Sequence, residues 1–260
     1  MQGNPGAVVN SHCHVVREYF ADDQSEVIER ALAGGVKYLI NPGCSLADAD
    51  EVLALTQKYE PLFGAVGIHP HEAKTWDEKS EQRLRDYASH EKIIGIGECG
   101  LDYFYNHSEP DVQQEVFAAQ VRIALDLDLP VIVHCRDAWD ECMDIIEREG
   151  KKKVRGVFHC FTGGPDLLPR IAELGFYISF SGIVTFKKSE EIQKAAAQAP
   201  EDRILVETDC PYLAPQKVRG KRNEPVYVWM VAEKVAELRN TPLEVTAASC
   251  LQNARTLFRF

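Results

Sequence analysis

The stretch VIVHCRDA at residues 131–138 places an apolar, β-branched run directly before a histidine, a cysteine and an arginine. A short apolar run that is bounded by polar residues is typical of a buried strand. The residues after it, 138–149, repeat their apolar positions with helical spacing. A buried strand that ends in reactive side chains and leads into a helix is the building unit of α/β proteins.

The same unit recurs along the 260-residue chain. Strands are predicted at 7–13, 37–42, 63–68, 93–98, 131–135, 155–160, 176–181 and 204–209. Helices are predicted at 23–34, 46–59, 77–89, 111–128, 138–149, 164–174, 189–199 and 225–238, and a last one at 242–258. Gly34, Gly35 and Gly175 come where helices should end. Eight such units predict an α/β fold, a (β/α)8 TIM barrel in a single domain, 1–260, and a doubly wound open sheet is the alternative.

Reactive residues lie at the ends of six of these eight predicted strands. In chain order they are His12, His14, His69, Glu98, His134, His159 and Asp209. Enzymes with the barrel fold carry their active sites at the C-terminal ends of the strands. A single histidine in a strand is more often a core residue. Five histidines and two carboxylates at equivalent positions need a common cause, and a metal site provides one.

The set is too large for one metal ion. His12 and His14 are two residues apart, so on a strand both imidazoles face one side. Four imidazoles and two carboxylates exceed what a tetrahedral ion with an open position requires. They fit two divalent ions about 3.5–4 Å apart, Zn²⁺, Mn²⁺ or Mg²⁺, with Glu98 as the bridge. Such ions lower the pKa of water, and Asp209 is the candidate base. A buried polar network that only stabilises the fold is the alternative.

A set of ordered motifs connects the chain with a known family. The motifs are HCH at 12–14, GIHPH at 67–71, GECGLDYFY at 97–105, VHCRDA at 133–138, FHCFTG at 158–163, ETDCPYLAP at 207–215 and RNEP at 222–225. Together they resemble the TatD family of metal-dependent deoxyribonucleases over nearly the whole chain. The resemblance implies a TIM barrel, a divalent-metal centre and, as in several members, 3′→5′ exonuclease activity.

Carried over position by position, the resemblance assigns metal-binding and catalytic residues. The implied metal ligands are His12, His14, Glu98, His134, His159 and Asp209, and the histidine of the family's GxHP motif falls on His69. We therefore take Glu98, Asp209 and His69 as catalytic. Many members have aspartate before the HxH unit where this chain has Asn10, and some members lack HxH. These differences within the family fall on the first metal site and not on the second.

Substrate-binding residues are predicted in three segments. Arg136 lies two residues after His134, where a guanidinium can hold a phosphate in bidentate fashion; pairing with Asp137 or Asp140 is the alternative. The segment 217–222 is basic, and Arg222 is our candidate phosphate contact within it; a solvated loop is the alternative. Tyr103 and the aromatic residues after it can stack a terminal base or simply pack the loop.

The composition restricts the partners. The net charge is −11, so the chain cannot cover a long stretch of nucleic acid and must hold a few phosphates locally. The sequence MQGNPGAVVN has neither a basic region nor a long apolar run, so we expect a cytoplasmic monomer with no signal peptide and no membrane span. Most of the eight cysteines lie beside a proposed ligand, and we interpret these as small apolar fillers under helices rather than as metal ligands.

These observations predict a hydrolase of nucleic-acid phosphodiesters, a deoxyribonuclease that works from single-stranded or frayed DNA ends. An amidohydrolase that cleaves C–N bonds of a small anionic substrate is the main alternative, because that class also carries HxH on its first strand. Its two-metal members commonly bridge with a modified lysine on the fourth strand, where this chain has Glu98. A binding protein without catalysis is the second alternative, and the complete ligand set argues against it.

Overall fold

A computed structural model describes residues 6–260 of the chain. Its strands form one eight-stranded sheet in the order β1 to β8. They are β1 Val8–Asn10, β2 Val36–Pro42, β3 Leu62–Val66, β4 Ile93–Asp102, β5 Val131–Arg136, β6 Gly156–Phe158, β7 Tyr177–Phe180 and β8 Ile204–Val206. The pairs β1–β2, β3–β4, β4–β5, β5–β6 and β7–β8 are parallel.

Helices alternate with the strands. They are α1 Arg17–Phe20, α2 Gln24–Ala33, α3 Ala49–Lys58, α4 Ser80–Ala88, α5 Pro110–Leu127, α6 Trp139–Gly150, α7 Leu168–Glu173, α8 Glu190–Gln198, α9 Val228–Arg239 and α10 Leu243–Phe258. Eight parallel strands in chain order with helices between them have the topology of a (β/α)8 TIM barrel, so the predicted fold class is confirmed. None of the helices within residues 6–260 has the length and apolarity required to cross a bilayer.

The described chain divides into two compact units. The first contains the residues up to Asn41 together with Cys160–Arg170 and Tyr177–Thr256, and the second contains Pro42–His159, Ile171–Phe176 and Leu257–Phe260. In the first unit, apolar residues of β1, β7 and β8 are buried, and in the second those of β3 to β6. The single domain 1–260 stays a prediction, and its first five residues lie outside the described part.

The predicted elements are all present, but several strands have different bounds. Strand β1 has three residues and ends at Asn10, β8 ends at Val206, and β4 extends to Asp102. Helix ends agree better, because glycines mark them: Gly35 and Gly175 have φ values of +88° and +74°, which favour glycine. The strand ends matter here because the predicted site residues lie on or just beyond them.

Candidate metal centre

In the first unit, His12, His14 and Asp209 form a group that we call the HxH cluster. The two imidazole Nε2 atoms are 3.1 Å apart. The Oδ1 atom of Asp209 lies 3.8 Å from Nε2 of His12 and 3.5 Å from Nε2 of His14. Two nitrogens and a carboxylate oxygen thus converge on one point, and this donor set suits a divalent cation such as zinc or manganese.

Backbone pairing beyond the strands holds the HxH cluster together. The N–H of Asp209 donates to the carbonyl of His12 at 3.0 Å, and the N–H of His14 donates to the carbonyl of Cys210 at 2.9 Å. The expectation that both histidines stand on a regular strand is therefore wrong, since β1 ends at Asn10. Their Nε2 atoms still lie close together, and backbone hydrogen bonds to residues 209–210 hold this segment.

A buried asparagine fixes the same segment and accounts for the departure from the family motif. The amide nitrogen of Asn10 donates to Oγ1 of Thr208 at 2.8 Å and to the carbonyl of Pro225 at 3.2 Å. Its Oδ1 accepts the N–H of Thr208 at 3.1 Å. An ionised aspartate could accept but could not donate to the Pro225 carbonyl. Asparagine at this position therefore suits the contacts that surround it here.

In the second unit, Glu98, His69, His134 and His159 form a group that we call the Glu98 cluster. Three imidazole nitrogens surround one carboxylate oxygen, Oε1 of Glu98. Nε2 of His159 lies 2.8 Å away, Nδ1 of His134 3.1 Å and Nε2 of His69 3.3 Å. Cys44, which the sequence analysis did not select, places its thiol 3.9 Å from the other oxygen, Oε2. The structure thus brings four predicted site residues of this unit together.

A local irregularity of β4 presents Glu98 to these histidines. The register between β4 and β5 shifts between Ile96 and Cys99, as in a β-bulge, which redirects a side chain. Gly97 and Gly100 flank the carboxylate with φ values of +144° and +140°. A Cβ at Gly100 would overlap the backbone of His134. Glu98 therefore lies within a strand that continues to Asp102, and the prediction that it ends the strand is wrong.

Hydrogen bonds to the outer nitrogens assign the imidazole protons. Nδ1 of His69 accepts the N–H of His71 at 3.1 Å, so the proton of neutral His69 is on Nε2, which donates to Glu98. Nε2 of His134 lies 3.0 Å from Oδ2 of Asp102 and donates to it, so in the neutral imidazole the lone pair of Nδ1 would face Glu98. Two facing lone pairs need a proton or a cation between them. A divalent metal ion fits this position.

Burial and neighbouring charges shift the pKa of both histidines, in opposite directions. Burial lowers the pKa of His69 to about 4, and the charges of Glu98 only partly oppose this, so His69 is neutral at pH 7. Burial also acts to lower the pKa of His134, but hydrogen bonds to Asp102 and Glu98 outweigh it and raise the pKa. With so low a pKa, His69 is a weak base, and its Nε2–H acts as a hydrogen-bond donor.

Asp102 supports the Glu98 cluster and was missed by the sequence analysis. It is 1% exposed. Its Oδ2 accepts hydrogen bonds from Nε2 of His134 and Nε2 of His71, both at 3.0 Å. Burial alone would raise the pKa of Asp102, but the bonds from His134, His71 and the backbone of Tyr105 hold it far below its usual range. An acidic residue that orients a ligand histidine from behind is common in metal sites.

Two buried glutamines of α5 hold the backbone next to the cluster. Gln120 accepts the N–H of Ile68 at 2.8 Å and donates to its carbonyl at 3.0 Å, directly before His69. Gln113 does the same for Asp102, accepting its N–H at 2.8 Å and donating to its carbonyl at 3.1 Å. Both are fully buried. The signal in the sequence is a glutamine at each of two buried positions of α5, where an apolar residue would be expected.

Comparisons with known proteins agree with this geometry. The model of the family described as TatD related DNase matches residues 9–259. The chain belongs to this family. It is 39% identical over 250 residues to a protein of Bacillus subtilis named uncharacterized metal-dependent hydrolase YabD, covering 96% of this chain and 98% of that one.

A second relative and a solved structure are also similar to this chain. The chain is 33% identical over 244 residues to the 3′-5′ ssDNA/RNA exonuclease TatD of Escherichia fergusonii, covering 92% and 94% of the two chains. The crystal structure of the TatD homologue YjjV from Escherichia coli K12 superposes with a TM-score of 0.91 at 29% identity, over 97% of this chain and 98% of that chain. The TatD-family resemblance predicted from the motifs is thus confirmed, and the chain is a metal-dependent hydrolase by family.

In this TatD-family protein the predicted substrate-binding residues have different surroundings. The guanidinium carbon of Arg136 lies 3.9 Å from the ring centre of Phe104 and 4.8 Å from that of Tyr105. The expected alternative, an ion pair with Asp137 or Asp140, is not formed. Tyr103 is partly buried, and its hydroxyl accepts a hydrogen bond from Gln114 at 2.7 Å. Its neighbours, rather than Tyr103, present exposed rings.

The basic segment of the TatD-family protein is largely engaged within the protein. Arg222 pairs with Asp23 and lies 4.4 Å over the ring of Phe20. Lys217 pairs with Glu233 at 2.6 Å. A basic side chain that already pairs with a carboxylate is less available to bind a phosphate. The role of Arg222 in substrate binding stays a prediction.

The cysteines next to the proposed ligands behave as expected for apolar fillers. Cys13, Cys99 and Cys210 are fully buried free thiols, and Cys135 is buried as well. Burial raises the pKa of the Cys13 and Cys99 thiols, so both are protonated at pH 7. Cys160 is only partly buried. The geometry thus favours packing over thiolate ligation for the buried residues.

Proposed function

We propose that the protein hydrolyses phosphodiester bonds of nucleic acid and that it uses two divalent metal ions held by the HxH cluster and the Glu98 cluster. The observation that carries the proposal is the convergence of Nε2 of His159 and Nδ1 of His134 on one carboxylate oxygen of Glu98, at 2.8 and 3.1 Å, a donor set that suits a divalent cation. The exonuclease name of the Escherichia fergusonii relative supports the choice of substrate.

Each proposed ligand has a distinct part. His12, His14 and Asp209 would hold one ion, and His134, His159 and Glu98 would hold the other. Bound divalent ions supply Lewis acidity that lowers the pKa of a water molecule and polarises the phosphoryl group. In our proposal a carboxylate oxygen of Asp209 accepts the proton of the attacking water.

His69 completes the proposed catalytic group as a donor. Its Nε2–H points at Oε1 of Glu98 from 3.3 Å, and its lowered pKa keeps it uncharged at pH 7. It therefore orients the carboxylate without adding a positive charge that would compete with a cation. We propose that this orientation, not proton transfer to His69, is its contribution to the reaction.

The acidity of the chain supports action at strand ends. With a net charge of −11, the protein can neutralise few phosphates, and separating base pairs within a duplex costs energy that few contacts offset. We therefore propose that single-stranded or frayed DNA ends are the substrate. The name 3′-5′ exonuclease of the Escherichia fergusonii relative supports hydrolysis from the 3′ end.

The direct test strips the protein of metal and restores one metal at a time. We expect no phosphodiester turnover in the stripped protein and recovery with manganese, magnesium or zinc, while a panel of cyclic amides stays uncleaved. Cleavage of C–N bonds without phosphodiester cleavage would overturn the proposal in favour of an amidohydrolase. Failure to bind any divalent ion would show a binding protein instead.

A further inference from the structure

We infer that Arg136, Phe104 and Tyr105 form a nucleotide-binding subsite beside the Glu98 cluster. The guanidinium would take a phosphate and the exposed phenyl ring would stack on the adjacent base. This subsite rests on the proposed function, since it names the part of the protein that holds the substrate, and it takes the chemical class of a nucleoside monophosphate unit.

The first observation is the exposure of two neighbouring aromatic rings. Phe104 is 55% and Tyr105 51% exposed, whereas most of the large apolar side chains are buried. The rings contact each other edge to face at 4.8 Å between centroids, and Tyr105 stacks on His107 at 5.6 Å. Exposed aromatic rings in one place mark a binding surface, and any base can stack on such a ring.

The backbone that carries the two rings is held by hydrogen bonds. Oδ1 of the buried Asp102 accepts the backbone N–H of Phe104 at 3.0 Å and that of Tyr105 at 2.9 Å. The other oxygen of the same carboxylate bonds His134 and His71. One side chain therefore holds both the backbone that carries the two rings and a proposed metal ligand. A preorganised surface loses less entropy when a ligand binds.

The second observation is the charge of Arg136. Across residues 6–260, its contacts are with the two rings, and no carboxylate pairs with it. In contrast, Arg222 and Arg30 both pair with Asp23 and Glu224. A guanidinium that stacks on a ring keeps its N–H groups in plane and can direct them to a phosphate. In a chain of net charge −11, an arginine without a carboxylate partner is suited to an anion.

The third observation is the position of Arg136 along the sheet. In the β4–β5 register, Gly100 pairs with His134 and Asp102 with Arg136, so the arginine follows the ligand histidine by two residues. Two residues of a strand span about 7 Å. Tyr105 also contacts His71 at 5.5 Å between centroids. A nucleotide on this subsite would thus lie next to the Glu98 cluster without replacing its ligands.

The test separates phosphate binding from base stacking. The probes are 2-aminopurine deoxyribonucleoside 5′-monophosphate, its ribose counterpart, the free nucleosides and inorganic phosphate, none of which contains a cleavable phosphodiester. The variants are Arg136→Ala and Phe104→Ala. Arg255→Ala is the matched control, because Arg255 also lies over an aromatic ring, Tyr38, at 5.5 Å.

Each variant should weaken the binding of a different set of probes. Arg136→Ala should weaken binding of the monophosphate about tenfold and leave binding of the nucleoside unchanged. This is the effect expected when charge-assisted hydrogen bonds to the phosphate are lost. Phe104→Ala should weaken binding of the nucleoside and the monophosphate about tenfold and abolish fluorescence quenching of 2-aminopurine. It should weaken binding of inorganic phosphate less than Arg136→Ala does, because Tyr105 still lies beneath the guanidinium. Arg255→Ala should match the wild type for all probes. If the variants lose the same affinity for the ribose monophosphate as for the deoxyribose monophosphate, the subsite accepts RNA as well as DNA.

Other outcomes would overturn the subsite. If both variants bind every probe as the wild type does, the nucleotide lies elsewhere. If each variant loses all probes equally along with bound metal, the residues act only on the structure. Probe binding that follows the predicted split in a protein that cleaves no phosphodiester would leave the subsite standing and refute the proposed function, whereas cleavage that is unaffected in both variants would do the reverse.

Discussion

The HxH cluster and the Glu98 cluster offer similar ligands but are supported in different ways. In the HxH cluster, Asn10 and the pairing of residues 12–14 with 209–210 hold the backbone. In the Glu98 cluster, Asp102 holds the imidazole of His134 itself, and three imidazole nitrogens surround one carboxylate oxygen. A buried carboxylate behind a ligand histidine thus supports the Glu98 cluster, and paired main-chain groups support the HxH cluster.

This difference leads us to expect unequal metal affinities. A site whose ligand atoms are already oriented loses less side-chain entropy on binding and excludes wrong geometries. The Glu98 cluster should therefore bind its ion more tightly and fill first, while the HxH cluster should fill at higher metal concentration. The predictions below test that order.

The largest effect is expected from Glu98→Ala. Its carboxylate faces three histidines, and in our account it is a ligand of the Glu98 cluster's ion, so turnover should fall by roughly 10³-fold or more. The steady-state rate on single-stranded DNA and the thermal unfolding midpoint measure this. Glu115→Ala, an exposed change on α5, is the control. A near-normal rate in Glu98→Ala would refute the two-metal account.

The next effect separates the two clusters. His134→Ala should remove the tight ion and lower turnover by about 10²–10³-fold, while His14→Ala should remove only the weaker ion and retain the tight one. Calorimetric titration with manganese counts the ions in each variant. If His14→Ala loses the tight ion and His134→Ala keeps it, the expected order of the two clusters is reversed.

A smaller effect is expected from Asp102→Asn, because Asp102 contacts a ligand and not the ion. Loss of an outer partner typically weakens metal affinity about 10–100-fold. The metal dissociation constant of the Glu98 cluster should rise by this factor, while the weaker ion should be unaffected. Asp111→Asn on α5 is the control. Unchanged affinity at both sites would mean that Asp102 only packs the loop that follows it.

The smallest effect on DNA binding is expected from a substitution in the basic segment 217–222. Arg222 already pairs with Asp23, so Arg222→Ala should weaken binding of single-stranded DNA by less than about threefold, in line with the small value of exposed ion pairs. Lys151→Ala at the end of α6 should have no effect. Binding isotherms at two salt concentrations measure both. A greater loss for Lys151→Ala than for Arg136→Ala would mean that the substrate binds at another surface.

The fold and the ligands could be predicted because each follows from local patterns. Alternating apolar strands and amphipathic helices determine the (β/α)8 order, and histidines at strand ends are visible in the sequence itself. The convergence of His12 and His14 was also expected. Its basis was not, because the pairing of this segment with Asp209 and Cys210 depends on contacts almost 200 residues apart in sequence.

The supporting residues could not be predicted, because their roles depend on tertiary contacts. The bulge that turns Glu98 inward depends on the register with β5, and the double role of Asp102 depends on two loops and a strand. Likewise, Arg136 stacks on Phe104 instead of pairing with a carboxylate, and this depends on the path of the loop after β4. Spacing within a motif does not encode such contacts.

The most direct test of the account is product length over time on end-labelled single-stranded DNA, with and without restored metal, beside a closed duplex circle. The account predicts stepwise release of mononucleotides from the 3′ end, no products without metal, and a circle that is cut slowly. It also predicts a shallow salt dependence equivalent to about two to four phosphate contacts. Rapid internal cutting of the circle, or cleavage that continues in the metal-free protein, would contradict it.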